Sequence, residues 1–295
     1  MSVAPDWIAV DWGTSNVRAW AMSASGTVLA EAHSADGMGT LARDQFEGAF
    51  RRLTDGWVAA PAIACGMVGA RQGWAEAPYR QIPCVPLGEE AARPESDLDV
   101  RIIPGLKQRT PPDVMRGEET QIAGFQALNP NWDGVICLPG THTKWVQVSA
   151  GEVVSFQTFL TGDLFAALTE HTVLKHSTAG EMSDEESFRA AVHDALAKPE
   201  RLAARLFGIR ADHLLNDIPQ DSLRARLSGL LIGAELAAAR PYWLGQQIAV
   251  IGAPGLAKLY MMALAAQGVP AIEANAERMT LAGLKRAREC MKLPT

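Results

Sequence analysis

Residues 7–30, WIAVDWGTSNVRAWAMSASGTVLA, decide the fold. Three short apolar runs, at 7–11, 17–22 and 27–30, are separated by the polar loop 12–16 and by a serine- and glycine-containing turn. Short apolar runs bounded by turn residues are typical of β-strands joined by hairpins. The stretch therefore predicts a three-stranded β-meander whose first hairpin loop is polar.

The same pattern returns 127 residues further along the chain, where Gly140-Thr141 matches Gly13-Thr14. Its apolar runs lie at 135–138, 144–148 and 153–156. Repetition at this scale predicts two domains with the same α/β core. We place the first domain at residues 1–130 and the second at residues 131–295, in agreement with the roughly 150 residues that a domain usually contains.

Hydrophobic periodicity and turn residues predict the remaining elements. Ser183 is the predicted N-cap of one helix, because Glu186 follows it three residues later. The predicted helices cover residues 42–54, 118–128, 162–174, 184–197, 200–207, 220–240, 255–266 and 277–291, and the predicted strands cover 61–65, 100–103, 246–251 and 269–274.

Composition and charge exclude several classes of protein. The chain has 295 residues, of which 48% are apolar, and this content can build a full core. The formal charge is −6, and residues 1–130 carry 11 basic and 16 acidic side chains, so nucleic acid is a poor candidate for a partner. Neither a membrane span nor a signal peptide is expected. The four scattered cysteines predict reduced thiols and a cytoplasmic protein.

The first hairpin loop has the composition of a phosphate-binding site. Glycine lets the backbone approach a ligand, and the N–H groups and side chains of Gly13, Thr14, Ser15 and Asn16 can donate to phosphate oxygens. Asp11 suits Mg²⁺, usually through water molecules. The alternative is an ordinary polar turn in which Asp11 accepts bonds from the turn N–H groups.

The second copy favours the phosphate interpretation, because an ordinary turn has no reason to recur. Matching loops in two related domains would form a two-sided clamp, with candidate residues Gly140, Thr141, His142, Thr143 and Lys144. The chain contains neither a Walker loop nor a GxGxxG fingerprint. The small-residue turn at 252–255 separates an apolar strand from a helix, so a flat ring or a phosphate could approach its backbone there.

Three further segments carry candidate chemistry. Glu118 and Glu119 begin a helix, where one of them could act as a general base or both could simply complement the helix dipole. They point about 100° apart, so only one is expected to face a substrate. Residues 66–79 mix glycine with Arg, Trp, Glu and Tyr, which suits either a polyol acid or an ordered surface loop. Asp163 fits an N-cap or a ligand of a metal-bound water.

Seven ordered motifs together resemble the 2-dehydro-3-deoxygalactonokinase family, within the actin, hexokinase and heat-shock-chaperone ATPase superfamily. The resemblance covers about residues 7–290. The motifs are DWGTSNVRAW (11–20), ACGMVGARQGW (64–74), DVMRGEETQIAG (113–124), LPGTHTKW (138–145), FLTGDL (159–164), LSGLLIGAE (227–235) and VIGAPGL (250–256).

The resemblance implies two ribonuclease-H-like (actin/hexokinase-type) domains with an interdomain cleft. It also implies transfer of the ATP γ-phosphoryl group to the terminal 6-hydroxyl of 2-dehydro-3-deoxy-D-galactonate, a step of galactonate catabolism, with help from Mg²⁺. The first domain would bind the sugar acid and the second the adenosine. Where related sugar kinases have an Asp base, this chain has Glu118-Glu119, and Leu138-Pro139-Gly140 replaces the usual Asp-Gly-Gly.

Carried over by position, the resemblance implies a role for each motif. The ATP phosphates would contact Gly13, Thr14, Ser15 and Asn16 of one loop and Gly140, Thr141, His142, Thr143 and Lys144 of the other. The implied adenosine site is Gly252, Ala253 and Gly255, the implied metal ligands are Asp11 and Asp163, and the implied bases are Glu118 and Glu119. The implied sugar-acid contacts are Arg18, Gly66, Met67, Arg71, Trp74, Glu76 and Arg116.

Several alternatives stay open at this point. The substrate could be the epimeric 2-dehydro-3-deoxygluconate, since no motif reads the C4 configuration. The same scaffold also supports a phosphatase or exopolyphosphatase, although such an enzyme needs an extended basic channel that the charge balance does not favour, and an actin-like assembly protein, which usually needs a longer chain. The apolar faces of the final helices fit either the core or a homodimer interface.

Overall fold

The computed structural model describes residues 2–292. The chain divides into two compact units. The first contains the residues up to Trp132, the short segment Ser149–Ser155 and the residues from Ala276 on. The second contains Asp133–Val148 and Phe156–Asn275. None of the helices within residues 2–292 combines the length and the apolar character that a membrane span requires.

The elements alternate between strands and helices along most of the chain. The strands are β1 (Trp7–Trp12), β2 (Val17–Met22), β3 (Val28–Ser34), β4 (Ala62–Gly66), β5 (Arg80–Gln81), β6 (Val100–Ile102), β7 (Leu106–Arg109), β8 (Pro112–Met115), β9 (Gly134–Leu138), β10 (Thr143–Ser149), β11 (Glu152–Phe159), β12 (Ile248–Gly252) and β13 (Ala271–Asn275). The helices are α1 (Phe46–Leu53), α2 (Glu118–Leu128), α3 (Thr161–His171), α4 (Glu185–Ala197), α5 (Leu202–Leu215), α6 (Gln220–Ala238), α7 (Arg240–Trp243), α8 (Pro254–Ala265) and α9 (Ala276–Cys290).

Two five-stranded sheets share one topology. The first has the order β3-β2-β1-β4-β6 and the second the order β11-β10-β9-β12-β13. In the first, β1 is antiparallel to β2 and parallel to β4, and in the second β9 is antiparallel to β10 and parallel to β12. This is the ribonuclease-H-like arrangement, so the predicted α/β fold class is confirmed. A third sheet, β5-β7-β8, belongs to the first unit.

Most predicted elements agree with the structure within a few residues. β2 and α2 have the predicted bounds, whereas α5 continues eight residues beyond the predicted end at 207, to Leu215. The N-cap of α4 is Asp184, whose side chain accepts a bond from the Ser187 N–H. The prediction of Ser183 was therefore wrong, and its hydroxyl donates instead to Asp221 Oδ2 at 2.8 Å.

The central strands of the first sheet are buried on both faces because helices pack on both of its sides. In β1, every residue except Asp11 is buried. One face packs in a cluster with Phe46 and Phe50 of α1. The other face packs in a second cluster that includes Leu284 and Ala287 of α9. A polar side chain at the end of such a strand is unusual, and Asp11 occupies this position.

Helix α9 packs on α2 within the first unit. The two helices approach so closely that a Cβ on Gly283 would lie 2.7 Å from the carbonyl carbon of Thr120, and a Cβ on Gly124 would lie 2.7 Å from the N of Gly283. The predicted second domain, 131–295, includes α9, and in this respect the compact units differ from the prediction. The buried face of α9 belongs to the core of the first unit and not to an external surface.

We expect Gly283→Ala to lower the free energy of unfolding by about 3 kcal/mol or more, because backbone on the facing helix cannot yield to the added methyl group. Urea titration followed by circular dichroism measures this change. Gly48→Ala on α1 is the matched control, since its Cβ would meet only the Arg52 side chain at 3.5 Å. That variant should be neutral or more stable by up to about 1 kcal/mol. Equal midpoints for both variants would contradict the prediction.

Candidate functional site

The first Gly-Thr loop, Gly13–Asn16, connects β1 to β2. The N–H of Gly13 donates to the carbonyl of Asn16 at 2.9 Å and closes the turn. The side chains of Thr14, Ser15 and Asn16 are exposed. They form no hydrogen bond with any other described residue. Two hydroxyls and an amide of this loop are therefore exposed, and their contact with a phosphate stays a prediction.

A segment that the sequence reasoning missed supports this loop from behind. The N–H of Met38 donates to the Gly13 carbonyl at 3.0 Å, and that of Gly39 donates to the Thr14 carbonyl at 2.8 Å. Gly37 lies so close that a Cβ there would be 2.5 Å from the Cα of Ser15. The signal was present in the sequence as two glycines separated by one residue, but nothing in it indicated contact with residues 13–15.

Asp11 lies beside the first Gly-Thr loop and is already engaged. Its Oδ2 accepts from Arg18 at 3.2 Å. Arg18 also donates to Glu277 Oε2 at 2.6 Å, and the Cys65 thiol lies 3.8 Å from Asp11 Oδ1. Burial raises the pKa of Asp11, and Arg18 opposes this effect. The carboxyl is one quarter exposed, so it remains accessible to a ligand.

The start of α2 lies close to the end of β4. Gly66 ends β4 with a φ of +90°, and a Cβ there would be 2.6 Å from the Trp12 carbonyl oxygen. Gly117, with a φ of +106°, would place a Cβ 3.4 Å from the Gly66 Cα. Trp12, which directly precedes the first Gly-Thr loop, pairs with Gly66 in the parallel pair of β1 and β4. The first unit thus brings together the first Gly-Thr loop, Gly66 and the helix start that bears Glu118.

The two glutamates at this helix start differ in their surroundings. Glu118 is partly exposed, and its Oε2 accepts from the N–H of Arg116 at 2.9 Å. Glu119 is fully buried, and its Oε2 accepts from the N–H of Gly117 at 2.7 Å. Burial and the neighbouring Glu118 raise the pKa of Glu119 to about 8. Glu119 is therefore mostly protonated at pH 7, whereas Glu118 is the glutamate of the pair that reaches solvent.

We expect Glu119→Gln to remove a pH dependence of stability. The pKa of about 8 in the folded state lies above the reference value of 4.5, so the folded state keeps a proton that the unfolded state loses. The contribution of Glu119 to the free energy of unfolding is complete below about pH 4.5. It falls by about 1.4 kcal/mol per pH unit as the pH rises to about 8. Urea titrations at pH 6 and 7.5 should show this fall in the wild type and a much smaller fall in Glu119→Gln.

Glu47→Gln is the control for this titration. The Arg51 side chain lowers the pKa of the Glu47 carboxyl, so this group stays ionised throughout the tested range. The control should therefore retain the wild-type fall between pH 6 and 7.5. A wild-type stability that rises over this range would contradict the assignment.

The predicted substrate-binding residues of the 66–79 segment differ in their exposure to solvent. Trp74 is 7% exposed and packs against Trp12, with ring centroids 6.1 Å apart. It lies in the core and supports the segment from inside, which differs from the predicted contact with substrate. Met67 is partly exposed. Arg71 and Glu76 are 82% and 54% exposed and lie 3.7 Å apart at the surface.

Arg116 is held inside the first unit. Its guanidinium lies 4.3 Å from the ring centre of Tyr79, and Nη2 donates to the Ala77 carbonyl at 2.8 Å. Its Nε and Nη1 are buried without a hydrogen-bond partner. As the structure stands, Arg116 fixes the segment near Tyr79, and its remaining donors do not reach solvent.

The second Gly-Thr loop, Gly140–Lys144, follows β9 in the second unit and includes the first two residues of β10. A Cβ on Gly162, near the start of α3, would lie 2.7 Å from the Thr141 Cα. The N–H of Asp163 donates to the Thr141 carbonyl at 3.0 Å, and Asp163 Oδ2 lies 2.7 Å from His142 Nε2. Both side chains of this last pair are about half exposed. The structure thus brings together three of the predicted residues, Thr141, His142 and Asp163.

The two ends of the second Gly-Thr loop differ in exposure. Thr141 and His142 are exposed, whereas Thr143 is fully buried and Lys144 is 5% exposed. The Thr143 hydroxyl lies 2.9 Å from the Tyr260 hydroxyl. Thr143 and Lys144 therefore hold the loop in place, and the exposed groups belong to its first half.

The 252–255 turn lies beside the second Gly-Thr loop. Gly252 ends β12, and a Cβ there would lie 3.5 Å from Pro139 Cδ. Ala253 is the N-cap of α8, and Pro254 begins the helix. Ala253 and Gly255 are exposed, and a Cβ on Gly255 would meet nothing within 4 Å. The exposed part of this turn is therefore 253–255, whereas Gly252 is buried, and the adenosine site stays a prediction.

Within residues 2–292, no three His, Cys, Asp or Glu side chains come together to hold a metal ion. A fully protein-bound metal site is therefore absent from the described part of the chain. Asp11 and Asp163 each stand next to one Gly-Thr loop as single, partly exposed carboxylates. This arrangement suits Mg²⁺, which in phosphate sites uses one or two carboxylates, water molecules and the phosphates themselves.

Comparison with known proteins agrees with these motifs. Residues 11–287 match the family described as 2-keto-3-deoxy-galactonokinase. A Rhizobium meliloti protein named as a probable 2-dehydro-3-deoxygalactonokinase is 41% identical, over 97% of this chain and 98% of that one. The Escherichia coli 2-dehydro-3-deoxygalactonokinase is 32% identical, over 95% of this chain and 96% of that one.

Solved structures give the same result for the fold. A Sinorhizobium meliloti crystal structure, provisionally assigned the same activity, aligns with a TM-score of 0.90 and 38% identity, over 97% of this chain and 99% of that one. The activator of 2-hydroxyisocaproyl-CoA dehydratase from Clostridium difficile aligns with a TM-score of 0.55 and 10% identity, over 98% of each chain. This second likeness concerns the fold alone.

Proposed function

The chain belongs to the 2-keto-3-deoxy-galactonokinase family, and on that premise we propose that it phosphorylates the 6-hydroxyl of 2-dehydro-3-deoxy-D-galactonate with ATP. Two relatives that match along nearly their whole lengths carry the name of this activity. The observation that carries the proposal is the pair of Gly-Thr loops, one in each ribonuclease-H-like unit, each with a carboxylate beside it.

Each Gly-Thr loop would bind phosphate oxygens of ATP through its exposed part. Thr14, Ser15 and Asn16 contribute side-chain donors from the first unit, and Thr141 and His142 contribute them from the second. Phosphoryl transfer relies on positioning and charge stabilisation. The segments that pack behind the loops, at residues 37–39 and at Gly162, therefore contribute to catalysis by positioning the donors. The adenosine would lie over the exposed 252–255 turn of the second unit, and the sugar acid would bind to the first unit.

The Mg²⁺ that accompanies ATP would be held by Asp11 or by Asp163, directly or through water. When bound, Mg²⁺ neutralises charge on the β- and γ-phosphates. Asp11 is kept in place by Arg18, and Asp163 by His142. These partners fix the direction of each carboxylate before ATP arrives.

Glu118 would be the general base. A base must come within hydrogen-bond reach of the hydroxyl that it deprotonates, and Glu118 is partly exposed whereas Glu119 is fully buried. A Glu119 pKa of about 8 also leaves this residue mostly protonated at neutral pH. Among the predicted arginines, Arg71 would bind the substrate carboxylate, because its side chain is 82% exposed, whereas that of Arg18 is 35% exposed and the unpaired donors of Arg116 are buried.

We also propose that the enzyme is cytoplasmic. The four cysteines, Cys65, Cys84, Cys137 and Cys290, are free thiols. Burial raises the pKa of the thiols of Cys65 and Cys137, which keeps them protonated and unreactive. Free, protonated thiols suit a reducing compartment.

An assay of ADP release tests the proposal. The purified protein is mixed with ATP and Mg²⁺, and ADP is measured with 2-dehydro-3-deoxy-D-galactonate, with the gluconate epimer, and with no acid. We expect rapid release only with the galactonate compound, in step with a phosphorylated product. Equal release without acid would favour a phosphatase, and a higher kcat/KM for the epimer would reassign the substrate.

A further inference from the structure

One buried carboxylate in the second unit has no part in the chemistry described so far. Glu235 lies on α6 and is 3% exposed. The residues of α6 around it are mostly apolar and buried. Its Oε1 accepts from Trp145 Nε1 at 2.8 Å, and its Oε2 accepts from the Tyr260 hydroxyl at 2.7 Å and from the Thr161 hydroxyl. Three elements, β10, α3 and α8, therefore meet at this one side chain.

We propose that Glu235 is a positioning residue for the second Gly-Thr loop, acting on both of its ends through Thr161 and Tyr260. This inference rests on the proposed function, in which that loop binds ATP phosphates. Because Glu235 is 3% exposed, its proposed action on ATP binding is indirect.

The first connection runs through the start of α3. Thr161 is the first residue of this helix, and its hydroxyl is bonded to Glu235. The next residue, Gly162, packs against the backbone of Gly140 and Thr141. Asp163 then donates its N–H to the Thr141 carbonyl at 3.0 Å. The bond from Thr161 to Glu235 thus holds the first turn of α3 against the first half of the loop.

The second connection runs through Tyr260 of α8. Its hydroxyl lies 2.7 Å from Glu235 Oε2 and 2.9 Å from the Thr143 hydroxyl. Thr143 is the residue at which the loop becomes β10. Two residues later, Trp145 donates directly to Glu235. The second half of the loop is therefore fixed to the same carboxylate as the first half.

The choice of a carboxylate at this position needs a reason beyond stability. Burial raises the pKa of Glu235, which shows that its charged form is costly there, while the three hydrogen bonds act in the opposite direction. An apolar side chain of similar size would often be at least as stabilising as a buried charged group. Hydrogen bonds, unlike apolar contacts, fix direction, so a loop that must present donors accurately benefits from this arrangement.

The test measures affinity for a non-hydrolysable ATP analogue by isothermal titration calorimetry, together with kcat and the KM for each substrate. We expect Glu235→Leu to weaken analogue binding at least 30-fold and to lower kcat, because an error of about 1 Å in positioning can cost about 10²-fold. The KM for the sugar acid should stay within about threefold. Glu235→Gln should recover most of the loss, because its amide oxygen can accept from Trp145 while both hydroxyls rotate to accept from the amide NH₂.

Two further variants separate positioning from stability. Tyr260→Phe removes only the hydroxyl between Glu235 and Thr143. Because the connection through Thr161 is kept, this variant should weaken analogue binding by only about 5- to 10-fold. Val192→Ala makes a cavity at a fully buried position of α4, in the core cluster of the same unit, and serves as the control for lost stability. At temperatures where all variants are folded, Val192→Ala should bind the analogue like the wild type.

The outcomes are distinct. Analogue binding that is unchanged in folded Glu235→Leu and Tyr260→Phe would overturn the inference, as would an equal loss in Val192→Ala or a Glu235→Gln variant no better than Glu235→Leu. Failure of the proposed function gives a different result, namely a wild type that binds the analogue but phosphorylates no sugar acid. In that case the loss of analogue binding in Glu235→Leu would still report the positioning role.

Discussion

Glu118→Gln is expected to lower kcat by about 10²- to 10⁴-fold, the range that a positioned general base contributes. The amide keeps the shape of the side chain and the bond from the Arg116 N–H, but it cannot take a proton from the acceptor hydroxyl. The KM for ATP should change little, because the phosphates bind to the Gly-Thr loops. Steady-state ADP release with the sugar acid measures the effect.

Glu119→Gln is the matched control for this experiment. The two side chains are adjacent on α2, carry the same chemical change, and differ in exposure. Because Glu119 is already mostly neutral at pH 7, its kcat should stay within about tenfold of the wild type. If Glu119→Gln lost more activity than Glu118→Gln, the base would have to be reassigned to Glu119.

Gly37→Ala is the second variant with a large expected effect. A Cβ at this position would lie 2.5 Å from the Ser15 Cα and would also overlap the Thr14 carbonyl. Since ordinary contact distances begin near 3.4 Å, the first Gly-Thr loop would have to move by about 1 Å. A displacement of that size can cost about 10²-fold in rate. We therefore expect kcat/KM for ATP to fall by about this factor, measured at saturating sugar acid.

Gly39→Ala supplies the control for the loop displacement. It lies two residues away in the same supporting segment, and its Cβ would approach the Thr14 carbonyl oxygen only to 3.2 Å. A shift of a few tenths of an ångström accommodates it, so kcat/KM should fall less than fivefold. Similar activity of the two variants would show that contact with this segment does not position the loop.

The local parts of the structure could be predicted from sequence because their signals are local. Alternating apolar runs and turn residues identified both meanders, and the recurrence of Gly-Thr identified their relationship. The start of α2 at Glu118 agreed with the prediction for the same reason, since helix starts are signalled by nearby residues.

The parts that could not be predicted depend on contacts between distant residues. Composition alone does not distinguish a Trp that lines a pocket from one that fills a core, and Trp74 proved to be in the core. Gly37 and Gly162 support the two loops through close backbone approach, which no periodicity reveals. Glu235 lies in a run of small and apolar residues, and its bonding partners come from three separate elements.

The return of α9 to the first unit bears on how the protein is made. During translation the N-terminal part emerges first, and domains usually fold in that order at 5–20 residues per second. Here α2 is complete at Leu128, but its partner α9 begins only at Ala276, after the whole second unit has emerged. On the order of ten seconds of synthesis separates the two helices. The N-terminal unit therefore cannot complete its packing before α9 has emerged, and until then the face of α2 that bears Gly124 lacks its partner.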